Sequence, residues 1–322
     1  MPIIESTYII SGLQRYMHYS TIYNNTVRKL EVEYDERKRL ELSDGDFLDL
    51  DWKFSTKPTK KIIITLHGFE GNTSSKYMLG MAKYGSKKGY DVLGVNYRGC
   101  SEENNRLFRA YHAGDIADLQ SVIDYALSLK KYTEIYINGF SFGGNLALLY
   151  LGSELKKPKE LVACMAVSSP GFLVDACAKQ KDINNTFYAK NFLVSLRKKL
   201  KDKQQKFPDL LCLSDFKKIK NLTDLDNIYT SKAHGFKDAN DYYKKCSSYY
   251  ILEKIEIPTL LLNAKNDSFL SPKCYPYEKA KTSNTFYFEA PQYGGHLGFY
   301  NGKEMTYSEK RTFEFFANKG GA

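Results

Sequence analysis

Residues 134–150 constrain the fold more than any other part of this chain. A strand-like run (134–138) leads into Gly139-Phe140-Ser141-Phe142-Gly143, and a helix-like run (145–150) follows directly. A serine at so sharp a strand-to-helix turn must hold a strained backbone, so it needs small neighbours on both sides. Such a turn exposes the Ser141 hydroxyl at the end of a strand. The segment therefore predicts an α/β protein with a reactive serine at one edge of its sheet.

Strand-like and helix-like runs alternate on both sides of this turn. We expect strands at 61–66, 91–96, 134–138, 161–167, 259–263 and 285–289, and helices at 75–87, 115–130, 144–153 and 307–318. Such alternation predicts a mostly parallel, doubly wound sheet. The continuous apolar run 61–66 is typical of a strand that is buried on both faces.

The N-terminal part of the chain has a different pattern. Residues 27–34 and 47–52 alternate apolar and charged side chains, 39–42 can continue a strand, and Ser43-Asp44-Gly45-Asp46 is a turn signal. We expect antiparallel strands here, at one edge of the sheet.

Between about Pro170 and Ser248 the alternation stops, and the chain becomes rich in lysine, asparagine and aromatic residues, with helical patches. We interpret this stretch as a helical cap inserted into the core. The predicted organisation is a first part of the core (1–169), the cap (170–248) and a second part of the core (249–322).

Composition narrows the cellular setting. The 322 residues contain no apolar run near the ~20 residues that span a bilayer, and the N-terminus lacks a basic region followed by an apolar stretch. The six cysteines are scattered without C-x-x-C pairs, which is typical of free thiols in a reducing compartment. We expect a cytoplasmic protein without a signal peptide or transmembrane segment.

The formal net charge is +10, but the lysines are spread through the chain. The densest basic run, 197–206, is compatible with a helix, and we interpret it as a solvated face. No zinc-finger, RNP or basic-zipper pattern accompanies it, so we do not expect nucleic acid as a partner.

A serine hydroxyl needs a base to take its proton and an acid to orient that base. In this fold class the chain order is serine, acid, histidine. Asp267 follows the strand at 259–263, and His296 follows the strand at 285–289 in a glycine-flanked loop. Both positions lie at carboxyl ends of predicted strands, where open α/β sheets bind ligands. We predict a catalytic triad of Ser141, Asp267 and His296.

The tetrahedral intermediate of acyl transfer also needs donors for its oxyanion. The N–H of Phe142, directly after the serine, is one candidate. The second is the N–H of Phe69, in the His67-Gly68-Phe69 motif that follows the strand 61–66. We expect His67 to brace this loop rather than to act as a base.

With these residues in place, the chain resembles the α/β-hydrolase superfamily and, within it, the YheT-like carboxylesterases of the AB hydrolase 4 family. The resemblance spans about 40–300 and is carried by these segments: 67–71, 95–101, 111–114 with Asp118, 139–145, 233–236, 241–243, 258–264 and 294–299. It implies the α/β-hydrolase fold, the triad named above, no cofactor or metal, and activity on carboxylic esters with short to medium acyl chains. Ser268 departs from the proline that members often carry at this position.

We therefore predict a serine carboxylesterase of lipid metabolism that hydrolyses small acyl esters through an acyl-enzyme on Ser141. Two alternatives remain open at this point. One is an acyltransferase that passes the acyl group to an alcohol other than water, and the other is a non-catalytic binding protein with the same fold. Sequence does not give the oligomeric state.

Overall fold

The computed structural model describes residues 2–319. Its strands are β1 (Ile3–Ile4), β2 (Glu36–Glu41), β3 (Phe47–Lys53), β4 (Lys61–Leu66), β5 (Asp91–Asn96), β6 (Glu134–Phe140), β7 (Leu161–Val167), β8 (Thr259–Leu262) and β9 (Phe286–Glu289). These strands form one nine-stranded sheet in the order β1-β9-β8-β7-β6-β4-β5-β3-β2. In this spatial order, each strand from β1 to β5 is parallel to the next one. β3 is antiparallel to β5, and β2 is antiparallel to β3. The predicted fold class, a mostly parallel sheet with antiparallel N-terminal strands, is confirmed.

Helices surround the sheet. The α-helices are α1 (Met17–Thr26), α2 (Lys76–Lys87), α3 (Ile116–Ser128), α4 (Phe142–Gly152), α5 (Leu173–Lys179), α6 (Thr186–Lys206), α7 (Leu213–Lys218), α8 (Leu222–Leu225), α9 (Ser231–His234), α10 (Ala239–Cys246), α11 (Tyr277–Lys281) and α12 (Tyr307–Lys319). Short 3₁₀ segments lie at Gly12–Arg15, Ile183–Asn185, Ser248–Lys254 and Pro272–Cys274, and a π-helical turn lies at Asp226–Thr230.

Both faces of the sheet are buried, which explains the unbroken apolar run of β4. Ile62 and Ile64 point into a core that α3 and α4 complete, whereas Ile63 points into the opposite core beside α2 and α12. Alternate side chains of a strand face opposite sides, so a strand covered on both sides is mostly apolar along its whole length.

The prediction of a strand at 27–34 is wrong. This segment pairs with no strand in the described chain, and its alternating pattern comes from side chains that anchor it elsewhere. Arg28 is buried against Glu309, and the Tyr34 hydroxyl donates to the Thr73 carbonyl. Alternate residues thus face the protein without any ladder of backbone hydrogen bonds.

The edge strand β2 begins at Glu36, earlier than the predicted 39–42, and is rich in charge. Two arginines of β2 make bidentate hydrogen bonds to carboxylates of β3: Arg37 to Asp51 and Arg39 to Asp49. Cross-strand pairs of opposite charge stabilise this strand, whose low apolar content does not predict it.

Residues 170–248 contain α5 to α10 and no strand. The division of the chain into two core parts and a cap stays a prediction. The basic run 197–206 lies in α6, but it is not wholly solvated as expected. Lys199 contacts Glu70, and buried Lys203 donates to the carbonyls of Asn105 and Leu107.

None of the helices in the described part of the chain combines the length and the apolar character that crossing a bilayer requires.

Candidate active site

The predicted site residues follow four parallel strands of the sheet. Phe69 comes after β4, Ser141 after β6, Asp267 after β8 and His296 after β9. Because these strands are parallel, their carboxyl ends meet at one edge. β4 and β6 are neighbours although β5 lies between them in sequence, so the chain changes direction of winding here. Open α/β sheets bind ligands at such a switch point.

Ser141 lies at the turn between β6 and α4 with a φ of 51° and a ψ of −114°. A positive φ is costly for a residue with a Cβ and persists only where the surroundings enforce it. The Ser141 N–H donates to the Val167 carbonyl at 2.8 Å. A Cβ on Gly143 would lie 2.4 Å from the Leu66 carbonyl oxygen, and one on Gly139 would lie 2.4 Å from the Gly143 carbonyl oxygen. The two glycines of the motif are therefore required by close backbone approach.

Ser141, His296 and Asp267 are joined by hydrogen bonds. His296 Nε2 lies 2.8 Å from Ser141 Oγ, and His296 Nδ1 lies 2.8 Å from Asp267 Oδ2. A carboxylate can only accept, so Nδ1 carries the ring proton of the neutral imidazole and Nε2 is left to accept from the serine hydroxyl. Sequence reasoning brought these three residues together by order alone, and the structure brings them within hydrogen-bond distance.

The surroundings hold this arrangement in place. All three side chains are buried, and Ser141 is the most exposed of them at 8%. The second oxygen of Asp267, Oδ1, accepts the Phe269 N–H at 2.9 Å. The Phe269 ring packs on the His296 imidazole with centroids 4.2 Å apart. The imidazole is thus fixed on one face by an aromatic ring and at Nδ1 by a carboxylate.

The loop after β4 runs beside the serine. A Cβ on Gly68 would lie 3.4 Å from the Ser141 Cβ. The N–H of Gly68 donates to the Tyr77 hydroxyl and that of Glu70 donates to the Tyr111 hydroxyl, both at 3.0 Å. Within residues 2–319, the intervening Phe69 N–H has no acceptor.

Phe142 is the first residue of α4, where backbone N–H groups have no partner within the helix. Its ring packs 5.8 Å from that of Phe69. The positive end of the α4 dipole also lies at this point. The two backbone N–H groups predicted to bind an oxyanion therefore belong to residues whose rings pack against each other, beside Ser141.

His67 is fully buried and contacts backbone at both ring nitrogens. Nδ1 lies 2.7 Å from the Gly68 carbonyl, and Nε2 accepts the Tyr97 N–H at 3.4 Å. Burial lowers the pKa of His67 to about 3, so the ring is neutral. These contacts link the loop after β4 to the end of β5.

Sequence reasoning missed the residues that hold the His296 loop. Thr21 Oγ1 accepts the His296 N–H at 2.9 Å, Asn24 Nδ2 donates to the Leu297 carbonyl at 2.8 Å, and Ser168 Oγ accepts the Leu297 N–H at 3.0 Å. Thr21 and Asn24 lie three residues apart on α1, a helix whose low apolar content hid it. The only sequence signal for their role was their spacing on one helix face, and many solvent-exposed helices have polar residues at the same spacing.

An internal cavity of about 50 Å³ adjoins the predicted oxyanion residues. Its lining includes Phe69, Phe142, Leu196, Leu200 and Tyr229. Its wall also carries the Glu70–Lys199 ion pair, whose atoms lie 2.9 Å apart.

The part of the chain that the structure describes brings together no group of three histidine, cysteine, aspartate or glutamate side chains suited to hold a metal ion.

A model of the family described as "alpha/beta hydrolase fold" matches residues 61–303, most of the chain. This protein belongs to the α/β-hydrolase family. Within the family it falls in the YheT group, since YheT of Escherichia coli (strain K12), named as an esterase, is 31% identical over 270 residues, which are 82% of this chain and 78% of YheT.

Another α/β-hydrolase relative is the phospholipase ABHD3 of Homo sapiens, 29% identical over 303 residues that cover 89% of this chain and 72% of the relative. Among solved structures, an esterase of Pyrococcus furiosus superposes with a TM-score of 0.59 at 18% identity, covering 90% of this chain and 92% of its own. At that identity the likeness shows the fold alone.

Proposed function

We propose that this α/β-hydrolase is a serine carboxylesterase that hydrolyses small acyl esters through an acyl-enzyme on Ser141. The observation that carries the proposal is the continuous hydrogen-bonded line from Ser141 through His296 to Asp267, with 2.8 Å at each step. The names of the relatives, an esterase and a phospholipase, both describe enzymes that hydrolyse esters.

In the proposed mechanism, Ser141 Oγ attacks the ester carbonyl carbon while His296 Nε2 takes the hydroxyl proton. Asp267 keeps the other ring nitrogen protonated and stabilises the imidazolium that forms. The carbonyl oxygen becomes an oxyanion, to which the N–H groups of Phe69 and Phe142 donate. Each such donor is worth ~3–4 kcal/mol of the barrier.

Collapse of the intermediate breaks the bond to the alcohol oxygen, and His296 gives that oxygen its proton. Water then enters, loses a proton to His296 and attacks the acyl carbonyl, which releases the acid and restores Ser141. Activity on esters with short to medium acyl chains is proposed from the resemblance to the YheT-like carboxylesterases, and turnover of esters of increasing acyl length tests it.

The test is turnover of p-nitrophenyl esters of increasing acyl length by wild type, Ser141→Ala and Ser121→Ala. Loss of a triad nucleophile costs up to ~10⁶-fold in kcat, so we expect Ser141→Ala to be inactive. Ser121 lies on the exposed side of α3 and should not affect the rate. Activity of Ser141→Ala above a tenth of wild type would contradict the proposal.

A fluorophosphonate probe should label wild type and leave Ser141→Ala unlabelled, because the probe reacts only with an activated serine. Product analysis with an added alcohol distinguishes hydrolysis from transfer: we expect free acid to remain the main product.

A further inference from the structure

Helix α6 carries large apolar side chains on its solvent face. Phe187 and Val194 are 64% and 70% exposed, and Ile183, in the 3₁₀ turn just before the helix, is 86% exposed. The spacings of four and seven residues put them on one side of the helix. A row of exposed apolar side chains on one face is unusual for a surface that faces only water, and marks a site of docking to a protein or membrane.

Lysines lie among these apolar residues. Lys190, Lys198 and Lys201 are exposed, follow the same helical spacing and form no ion pair within residues 2–319. Over its whole length α6 has seven basic residues and one acidic residue, Asp202. We call this set, Ile183, Phe187, Lys190, Val194, Lys198 and Lys201, the α6 face.

Helix α6 also contacts the candidate active site, through a side chain outside the α6 face. The ring of Tyr188, on α6, lies 4.9 Å from the ring of Phe269, which in turn packs on His296. The Tyr188 hydroxyl also lies 3.3 Å from His18 Nδ1, which ties α6 to α1. Before α1, the N-terminal segment exposes further large apolar side chains, at Ile9, Leu13 and Tyr16.

We propose that the α6 face is a docking surface for an anionic phospholipid bilayer. On such a surface the apolar side chains of the α6 face lie among the acyl chains, and its lysines reach the headgroup phosphates and carboxylates. The net charge of +10 adds attraction at longer range.

Charge also argues against a second copy of this chain as the occupant. Two α6 faces brought together would place unpaired lysines opposite one another, and like charges across an interface are unfavourable. A negatively charged lipid surface satisfies both the lysines and the apolar side chains.

Docking in this way brings the Tyr188–Phe269 contact, which packs on His296, close to the lipid–water boundary. On the proposed function, ester substrates dissolved in the bilayer would then reach Ser141 without crossing bulk water. This second step rests on the proposed esterase activity, whereas membrane binding itself does not.

The experiment is co-sedimentation of the full chain with phosphatidylcholine vesicles, with and without ~30% phosphatidylserine, at low and high salt. We expect binding to the anionic vesicles only, weakened by salt. Each lysine near an anionic surface contributes about fivefold, so Lys190→Gln/Lys198→Gln/Lys201→Gln should lose at least ~tenfold in the partition coefficient. Ile183→Ser/Val194→Ser should weaken the binding that remains at high salt.

The control for both variants is Leu155→Ser/Lys156→Gln/Lys159→Gln, which removes one exposed apolar residue and two exposed lysines from the loop before β7, at the opposite end of the sheet. Its binding should stay far closer to wild type than that of the triple lysine variant, and the circular dichroism spectra and thermal unfolding midpoints of all variants should match wild type, which shows that they fold.

Absence of binding to anionic vesicles, or an equal loss in the control, would overturn the proposal. So would a dimer in analytical ultracentrifugation that Ile183→Ser/Val194→Ser dissociates, because the α6 face would then be an interface between copies. Vesicle binding is measured without turnover, so its failure is distinguishable from failure of the proposed esterase activity.

Discussion

Two histidines outside the candidate triad are held neutral by burial. The pKa of His67 and that of His234 are both lowered to about 3, for His234 first by burial and then by the neighbouring His112. An unfolded histidine has a pKa of ~6.5. The folded state therefore binds fewer protons than the unfolded state between these values. The stability that comes from keeping these rings neutral is fully present above pH 6.5 and is lost as the pH falls through the window toward 3.

We predict that His234→Phe makes unfolding less dependent on acid. A phenylalanine ring can keep the contact with the His112 ring, whose centroid lies 4.3 Å from that of His234, and it has no nitrogen that binds a proton. Between pH 6 and pH 4, the free energy of unfolding of wild type should fall more steeply than that of the variant, by up to about 1.4 kcal/mol per pH unit. Urea unfolding at several pH values measures both slopes, and values at pH 8 give the packing effect of the substitution alone. Parallel slopes would show that His234 titrates normally in the fold.

At the scale of elements, α1 positions the loop of the candidate base. Thr21 accepts the His296 N–H and Asn24 donates to the next carbonyl, so a helix near the N-terminus fixes a loop some 275 residues later in the chain. The Cβ of a residue in place of Gly295 would also lie 2.5 Å from the Met17 carbonyl oxygen, which shows how closely the loop and α1 approach.

We expect Thr21→Val to reduce kcat by roughly tenfold with little change in KM. The variant leaves the buried His296 N–H without an acceptor, which costs ~1–3 kcal/mol, and the loop can shift to relieve it. Thr26→Val is the control, because Thr26 lies on the same helix and makes its hydrogen bond to Ile22 in an exposed position. Steady-state kinetics on a soluble ester measure both. A Thr21→Val enzyme with wild-type kcat would mean that α1 does not position His296.

At the scale of the whole molecule, one buried ion pair ties the N-terminal part of the chain to the last helix. Arg28 donates twice to Glu309, at 2.7 Å and 2.8 Å, and both side chains are almost fully buried. The Glu309 carboxylate also accepts the Thr306 N–H at 2.8 Å, which caps the start of α12. The pair also explains Gly80 on α2, where a Cβ would overlap the Glu309 carboxylate.

Arg28→Met should lower the free energy of unfolding by about 3–5 kcal/mol, because it leaves the Glu309 carboxylate buried and without its cation. Lys254→Met breaks an ion pair of similar length with Glu154, but both side chains there are largely exposed, so that change should have a much smaller effect on the free energy of unfolding. Chemical denaturation compares the two. Equal losses would show that Arg28 is solvated in solution.

The sheet and the position of the candidate site followed from local pattern. Runs of mostly apolar residues predicted β4 to β9 to within about two residues, because strands buried on both faces contain few polar residues. The elbow could be identified because a strained serine needs Gly139 and Gly143 where backbones approach closely. Asp267 and His296 followed from the order of the chain and the rule that ligands lie at carboxyl ends of strands.

Sequence alone thus determined the fold class and predicted the candidate triad, since the fold class follows from local apolar runs and the triad from the order of motifs at the ends of strands. Tertiary structure alone decided which polar residues hold the site: Thr21, Asn24 and Ser168 meet the His296 loop from distant elements. It also decided that 27–34 joins no strand, and that α6 turns apolar side chains to solvent. The periodicity of apolar residues predicts which residues share one face of a helix or strand. What that face packs against depends on contacts between parts of the chain that are far apart in sequence.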